Sequence, residues 1–207
     1  MTTTFRAENA PDLTAIEHRA DVPAADLLVR NLANNASVSI DNAANDGFTD
    51  TDIRFADSVV AGDEDTAELE LNNAGSKLAA SGVVNLRAEA NGGFETINVT
   101  ANGTNRLVDL GSDSTVGTGV AMSLTNNVVD TLTVSGSGSL RVNSLLQDVT
   151  TVDADENTGG VDFVLDPTRD VTATGGEGND TFRFGAGLNN NDTVDGGTGD
   201  SDEIRVS

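Results

Sequence analysis

The 207-residue chain contains no cysteine, no tryptophan and no tyrosine, a single lysine (Lys77) and a single histidine (His18). Without cysteine there are no disulfides, no thiol chemistry and none of the usual thiolate ligands for zinc or iron–sulfur groups. Base is scarce as well. Eleven Lys and Arg stand against 34 Asp and Glu, giving a net charge of −23 and a pI near 4.1. A chain this acidic has no basic surface with which to hold nucleic acid, and it repels anionic lipid unless a cation bridges them. No apolar run approaches the ~20 residues of a membrane span, and the opening MTTTFRAENA is not a signal peptide.

What is present is alternation. Short period-2 runs such as SVSI (37–40), AELEL (67–71), TINVTA (96–101), TLTV (131–134), VDFVL (161–165), TFRF (181–184) and EIRV (203–206) are bounded by Gly, Asn, Asp and Ser clusters. That is the pattern of strands joined by turns. From Leu132 onward the strands recur every 8 to 12 residues, a spacing shared by sandwiches, barrels and solenoids. The best helix candidate is PAADLLVRNLANN, residues 23–35.

Gly175-Gly176-Glu177-Gly178-Asn179-Asp180-Thr181-Phe182-Arg183 fits the nonapeptide G-G-x-G-x-D-x-U-x, U being a large apolar residue. Glycine reaches backbone conformations closed to other residues, so such a turn can curl its carbonyls inward beside one carboxylate. Calcium takes six to eight oxygens at about 2.3–2.6 Å, so a second turn must complete the shell. That turn is Gly196-Gly197-Thr198-Gly199-Asp200-Ser201-Asp202-Glu203-Ile204, where Ser201 stands in the aspartate's place. A one-residue insertion makes Asp202 the ligand, with Asp200 as a substitute. The two turns lie one 21-residue coil apart and are expected on the same edge. Gly176, Gly178, Asp180, Gly197, Gly199, Asp200 and Asp202 are the calcium residues this predicts. Phe182 and Phe184 should point inward and Arg183 to solvent, so that Arg183→Ser is nearly silent.

These residues resemble the repeats-in-toxin (RTX) proteins exported by bacterial type I secretion. Upstream, FETINVTANGTNRLVDL (94–110), TLTVSGSGSLRV (131–142) and TTVDADENTGGVDFVL (150–165) are similar to modules of RTX-type surface-layer proteins and large adhesins. The resemblance implies an all-β, elongated, right-handed parallel β-helix or β-roll with calcium in its glycine-rich turns. It also implies export without a cleaved N-terminal signal and assembly on the cell surface. On this basis residues 1–207 form one elongated module: irregular β coils over 1–92, solenoid coils over 93–174 and an RTX-type calcium roll over 175–207.

Other constellations carry less. Asp166 and Asp170 should face Asn189, Asn190, Asn191 and Asp192 across adjacent coils on the opposite edge, where Asp170, Asn190 and Asp192 offer oxygens for a second ion. The acidic stretches DGFTDTD (46–52) and AGDED (61–65) lack the ligand alternation of an EF-hand. His18 has no second histidine or cysteine to work with, and Glu64/Asp65 is one carboxylate pair among 34 acids. The expected role is therefore structural, not enzymatic: a secreted surface-layer module that associates with itself in calcium and contacts cell-surface polysaccharide. The alternatives are an RTX adhesin or biofilm-matrix module and, after it, a β-helix domain of a polysaccharide lyase or epimerase.

Overall fold

A computed structural model describes residues 2–19, 26–42, 50–75, 81–90, 92–112 and 128–206. Residues 23–25 of the expected helix and 43–49, which include the start of the DGFTDTD stretch, lie outside the described residues.

The described strands, in chain order, are β1 (Thr2–Arg6), β2 (Ala15–Arg19), β3 (Asp26–Leu32), β4 (Ser37–Asp41), β5 (Thr51–Phe55), β6 (Thr66–Asn72), β7 (Val83–Ala88), β8 (Thr96–Asn102) and β9 (Thr104–Leu107). They continue with β10 (Asp109–Gly111), β11 (Thr131–Ser135), β12 (Ser139–Leu146), β13 (Thr151–Asp153), β14 (Val161–Leu165), β15 (Thr172–Thr174), β16 (Thr181–Gly185), β17 (Thr193–Asp195) and β18 (Glu203–Val206). One long sheet takes the strands in the order β17-β15-β13-β11-β8-β6-β4-β2. Opposite it lie β1-β3-β5-β7-β10 in the N-terminal part and β18-β16-β14-β12-β9 in the C-terminal part. Every strand-to-strand ladder is parallel, so successive strands of each sheet are separated by a turn of the chain around the core. This is a parallel β-solenoid.

The seam between the two opposing sheets is a single strand. β12 pairs with β9 through Ser139–Val142 and runs on past it, where the Ser144 N–H donates to the Val108 carbonyl at 2.9 Å. Coil length becomes uniform beyond that seam. Thr131 pairs with Thr151, Thr151 with Thr172 and Thr172 with Thr193, steps of 20, 21 and 21 residues. Upstream, Ala15 pairs with Ser37 and Thr66 with Thr96, steps of 22 and 30 residues.

Alternation explains the core. On the long sheet Ala67, Ile97, Leu132, Val152, Ala173 and Val194 stack in one column, rung on rung about 4.8 Å apart. On the facing sheet Phe163 pairs with Phe182, and Phe182 with Ile204. Phe182 and Phe184 are buried, as the alternation around Arg183 requires. Phe55 and Phe94 meet edge to face, with ring centroids 4.8 Å apart.

Two further details concern the helix candidate and Arg183. Residues 26–32, within the best helix candidate at 23–35, form the strand β3, paired on both sides with β1 and β5. The helical spacing of Leu28, Val29 and Leu32 arises from a β-bulge. Asn31 takes a left-handed φ of 57°, and the register to β5 slips between Val29 and Leu32. The extra residue returns Leu32 to the core. Arg183 points outward but is not idle, because its guanidinium donates to Asp162 at 2.5 Å.

The outer side of β5 and β7 also departs from simple alternation. Asp52, Arg54 and Arg87 face away from the core column yet are buried, and the Asp52 carboxylate is 2.8 Å from each guanidinium.

Candidate metal centre

The turn Gly175–Asp180 joins β15 to β16, and Gly196–Asp202 joins β17 to β18. They stack directly. The Thr198 N–H donates to the Gly176 carbonyl at 2.8 Å, and the Gly175 N–H to the Asp195 carbonyl at 2.8 Å. The approach is too close for side chains: a Cβ on Gly176 would sit 1.9 Å from the Asn157 carbonyl oxygen of the turn above. Gly197 has a φ of +81°, the left-handed region that other residues enter at a cost. Gly178 and Gly199 are stacked in the same manner, a Cβ on Gly199 falling 1.8 Å from the Gly178 carbonyl oxygen.

Asp180 is buried at 1% exposure. One oxygen accepts the Val161 N–H of the coil above at 2.7 Å, and the other accepts the Gly176 N–H of its own turn at 2.9 Å. Burial pushes this carboxyl above the ordinary aspartate range. The two N–H donors pull it back, and the nearby Asp202 charge raises it further. One buried carboxylate, Asp180, thus lies beside a second, solvent-exposed one, Asp202, and the two repel.

Asp202 settles the register of the second turn. Thr181 pairs with Glu203, and Asp202 accepts the Asp180 N–H at 3.0 Å. Asp202 therefore occupies in its coil the place Asp180 occupies one coil earlier, although Asp202, like Asp200 and Ser201, is exposed. Among the described residues no three His, Cys, Asp or Glu side chains converge on one point. An ion at this edge would be held by Asp180 and Asp202, with turn carbonyls supplying the remaining oxygens. The donor set is entirely hard oxygen, which suits calcium or magnesium and not a soft metal.

Sequence reading missed the residue that closes the turn above. Asn157 is fully buried. Its amide nitrogen donates to the carbonyls of Ser135, Gly136 and Gly138 at 3.4, 3.1 and 3.0 Å. Its oxygen accepts the N–H groups of Gly159 and Gly160 at 3.1 and 2.8 Å. Asn105, also buried, does similar work two coils back. It accepts from the Ala74 N–H at 2.8 Å and donates to the carbonyls of Asn102 and Ser139, each at 3.1 Å. One edge of the solenoid is thus closed by amides upstream and by carboxylates in its last two turns.

On the opposite edge the predicted neighbours do meet. The Val171 N–H donates to Asp192 at 2.9 Å, and the Asn191 amide donates to Asp170 at 3.2 Å. The second Asp192 oxygen accepts the Asn189 N–H at 2.7 Å, so both of its oxygens serve the backbone. Asn190 is exposed. Burial pushes Asp166 upward, but hydrogen bonds from the Thr168 hydroxyl and N–H hold it below the usual range. His18, whose ring nitrogen lies 2.7 Å from the Thr51 hydroxyl, is held below its usual range by burial, which the Asp26 charge partly opposes.

No protein-family model, curated protein or solved structure matches this chain.

Proposed function

We propose that this chain is a calcium-dependent structural module of a secreted bacterial surface layer, one that associates with copies of itself on the cell surface. One observation carries this reading: two glycine turns stacked on one edge bring the buried Asp180 into register with Asp202, with no basic side chain among the described residues bonded to either. Calcium bound there supplies the positive charge this edge lacks. Asp180 and Asp202 hold it, and Gly176, Gly178, Gly197 and Gly199 let the turns approach closely enough to share it. Binding free energy then becomes folding free energy for the last coils. The resemblance to RTX surface-layer modules supports the cellular setting, and the surplus of carboxylates supports assembly, because calcium removes repulsion between copies.

Calcium titration followed by calorimetry and circular dichroism tests the metal reading. The expected result is saturable calcium binding, with loss of β signal and a lower melting temperature in EGTA. No binding heat and an unchanged melt would overturn it. Light scattering and electron microscopy across millimolar calcium test assembly, which should be reversed by chelator.

A further inference from the structure

The charges of this molecule are sorted between its two faces. Strands of the long sheet carry the carboxylates of Glu17, Asp41, Glu68, Glu70, Asp153 and Asp195 against one arginine, Arg19, which Glu17 holds at 2.7 Å. Strands of the C-terminal sheet opposite carry Arg106, Arg141, Arg183 and Arg205 against Asp162 and Glu203. A chain with eleven basic residues and a net charge of −23 has therefore placed four arginines on one short sheet and left that face net positive.

Both faces are set rather than loose. Arg106 pairs in register with Arg141, and Arg183 with Arg205, so each pair rises one strand spacing apart, about 4.8 Å. Asp162 braces the row at 3.5 Å from Arg141 and 2.5 Å from Arg183. A cleft of about 200 Å³ opens beside Arg106 and Arg141, walled by Asn105, Ser139 and Asn179. On the other face exposed Glu68 accepts from the Asn98 amide at 2.8 Å, and Glu70 from the Asn72 and Asn102 amides at 3.2 Å each.

We infer that the arginine face of one copy docks on the carboxylate face of the next. The occupant of the arginine row is thus a second copy of this chain, chosen by charge complementarity. The inference rests on the assembly reading above and names its surfaces. Unlike faces meet, so the contact is head to tail and propagates into stacks rather than closing as a dimer. The overall charge opposes this only at long range. Near 0.15 M salt the screening length is about 8 Å, which hides the net charge while sparing ion pairs in contact. Association should therefore peak at intermediate salt and fall at both extremes.

Sedimentation velocity in calcium, with calcium calorimetry alongside, tests this on three proteins: wild type, Arg141→Glu/Arg205→Glu and Glu68→Arg/Glu70→Arg. Each reversed variant presents like charge on both faces and should associate more than about tenfold more weakly than wild type. An equimolar mixture of the two restores complementary contacts and should recover large species. Circular dichroism checks the folds, and Arg141→Gln/Arg205→Gln provides a milder variant with an intermediate loss. The inference is overturned if wild type binds calcium yet stays monomeric, if the reversed variants associate as wild type does, or if mixing recovers nothing. Absence of calcium binding overturns the metal reading instead, and a mixture that still recovers then upholds the face contact alone.

Discussion

The turn closed by Asn157 and the turn closed by Asp180 sit one above the other on the same edge, with the Glu177 N–H donating to the Asn157 carbonyl at 2.9 Å. Both bury a polar side chain among tightly stacked glycines. The amide brings a donor and an acceptor, so Asn157 satisfies three carbonyls and two N–H groups from within the protein. A carboxylate brings charge and no donor. Asp180 satisfies two N–H groups and leaves a negative charge in a dry place beside Asp202. The difference of one atom, nitrogen for oxygen, separates a turn whose closing side chain is neutral and paired within the protein from one whose closing side chain carries charge, and on the proposed function it is the latter that takes up calcium. Because a coil touches only its neighbours, a calcium dependence arising there should stay local to the C-terminal end.

Substituting Asn157 should have the largest effect. Asn157→Leu removes the side-chain partner of the Gly138 carbonyl and of the Gly159 and Gly160 N–H groups, at about 1–3 kcal/mol for each group left unpaired, so thermal melts should show severe destabilisation with or without calcium. Asn157→Asp is the sharper version, since it turns the upper closure into the lower kind. It should be strongly destabilising in EGTA and partly rescued by calcium; a variant blind to calcium would show that the two turns are not equivalent. Next in size, hydrogen exchange should separate the regions in wild type. Chelation should release the amides of Thr181–Gly185 while Thr131–Ser135 stay protected, and calcium at a hundred times its dissociation constant should stabilise the former by about 2.7 kcal/mol. If both strands respond alike, the split between the regions is wrong.

Within the lower turns, Asp202→Ala should weaken calcium binding by about tenfold or more, whereas Asp200→Ala, out of register with Asp180, should have little effect. Equal affinities in calorimetry would move the second turn's register by two residues.

Acid should drive the two ends in opposite directions. His18 is held below 6.5 by burial, so its contribution is complete above that value and is lost as pH falls, when the ring must be charged to match the unfolded chain. Asp180 is held above its usual range, so the native turn binds its proton more readily than the unfolded chain does. In EGTA the last coils should therefore gain stability as pH falls toward the carboxylate range and lose it as pH rises. His18→Gln should flatten the first response without touching the second. The smallest effect is expected of Arg183→Ser, about 1 kcal/mol or less, from leaving the Asp162 carboxylate without that donor.

The sequence exposed whatever repeats locally. Alternation around Phe182 and Phe184, the glycine spacing of 175–180 and the 21-residue step are all written in neighbouring letters, and each appears in the fold. What stayed hidden depends on stacking. The partners of Asn157 in the turn above lie 19 to 22 residues earlier, so the residue looks like any turn asparagine until the coils are laid on one another. β3 was obscured because the bulge at Asn31 gives a strand the spacing of a helix. Asp52, Arg54 and Arg87 occupy alternating positions that normally face water, and no feature of the strands containing them announces that they are buried.

That buried trio gives the N-terminal coils a mechanical property. A solenoid under tension peels from an end, one rung after another, and adjacent strands of plain aliphatic columns can slide past each other by two residues while still burying methyl groups. Asp52 ties Arg54 on its own strand to Arg87 on the next, both at 2.8 Å. Sliding that rung would tear one ion from its partners with no water at hand, a penalty of about 3–5 kcal/mol concentrated at a single step. Under load it would work as a rip-stop thread, halting a tear between β5 and β7.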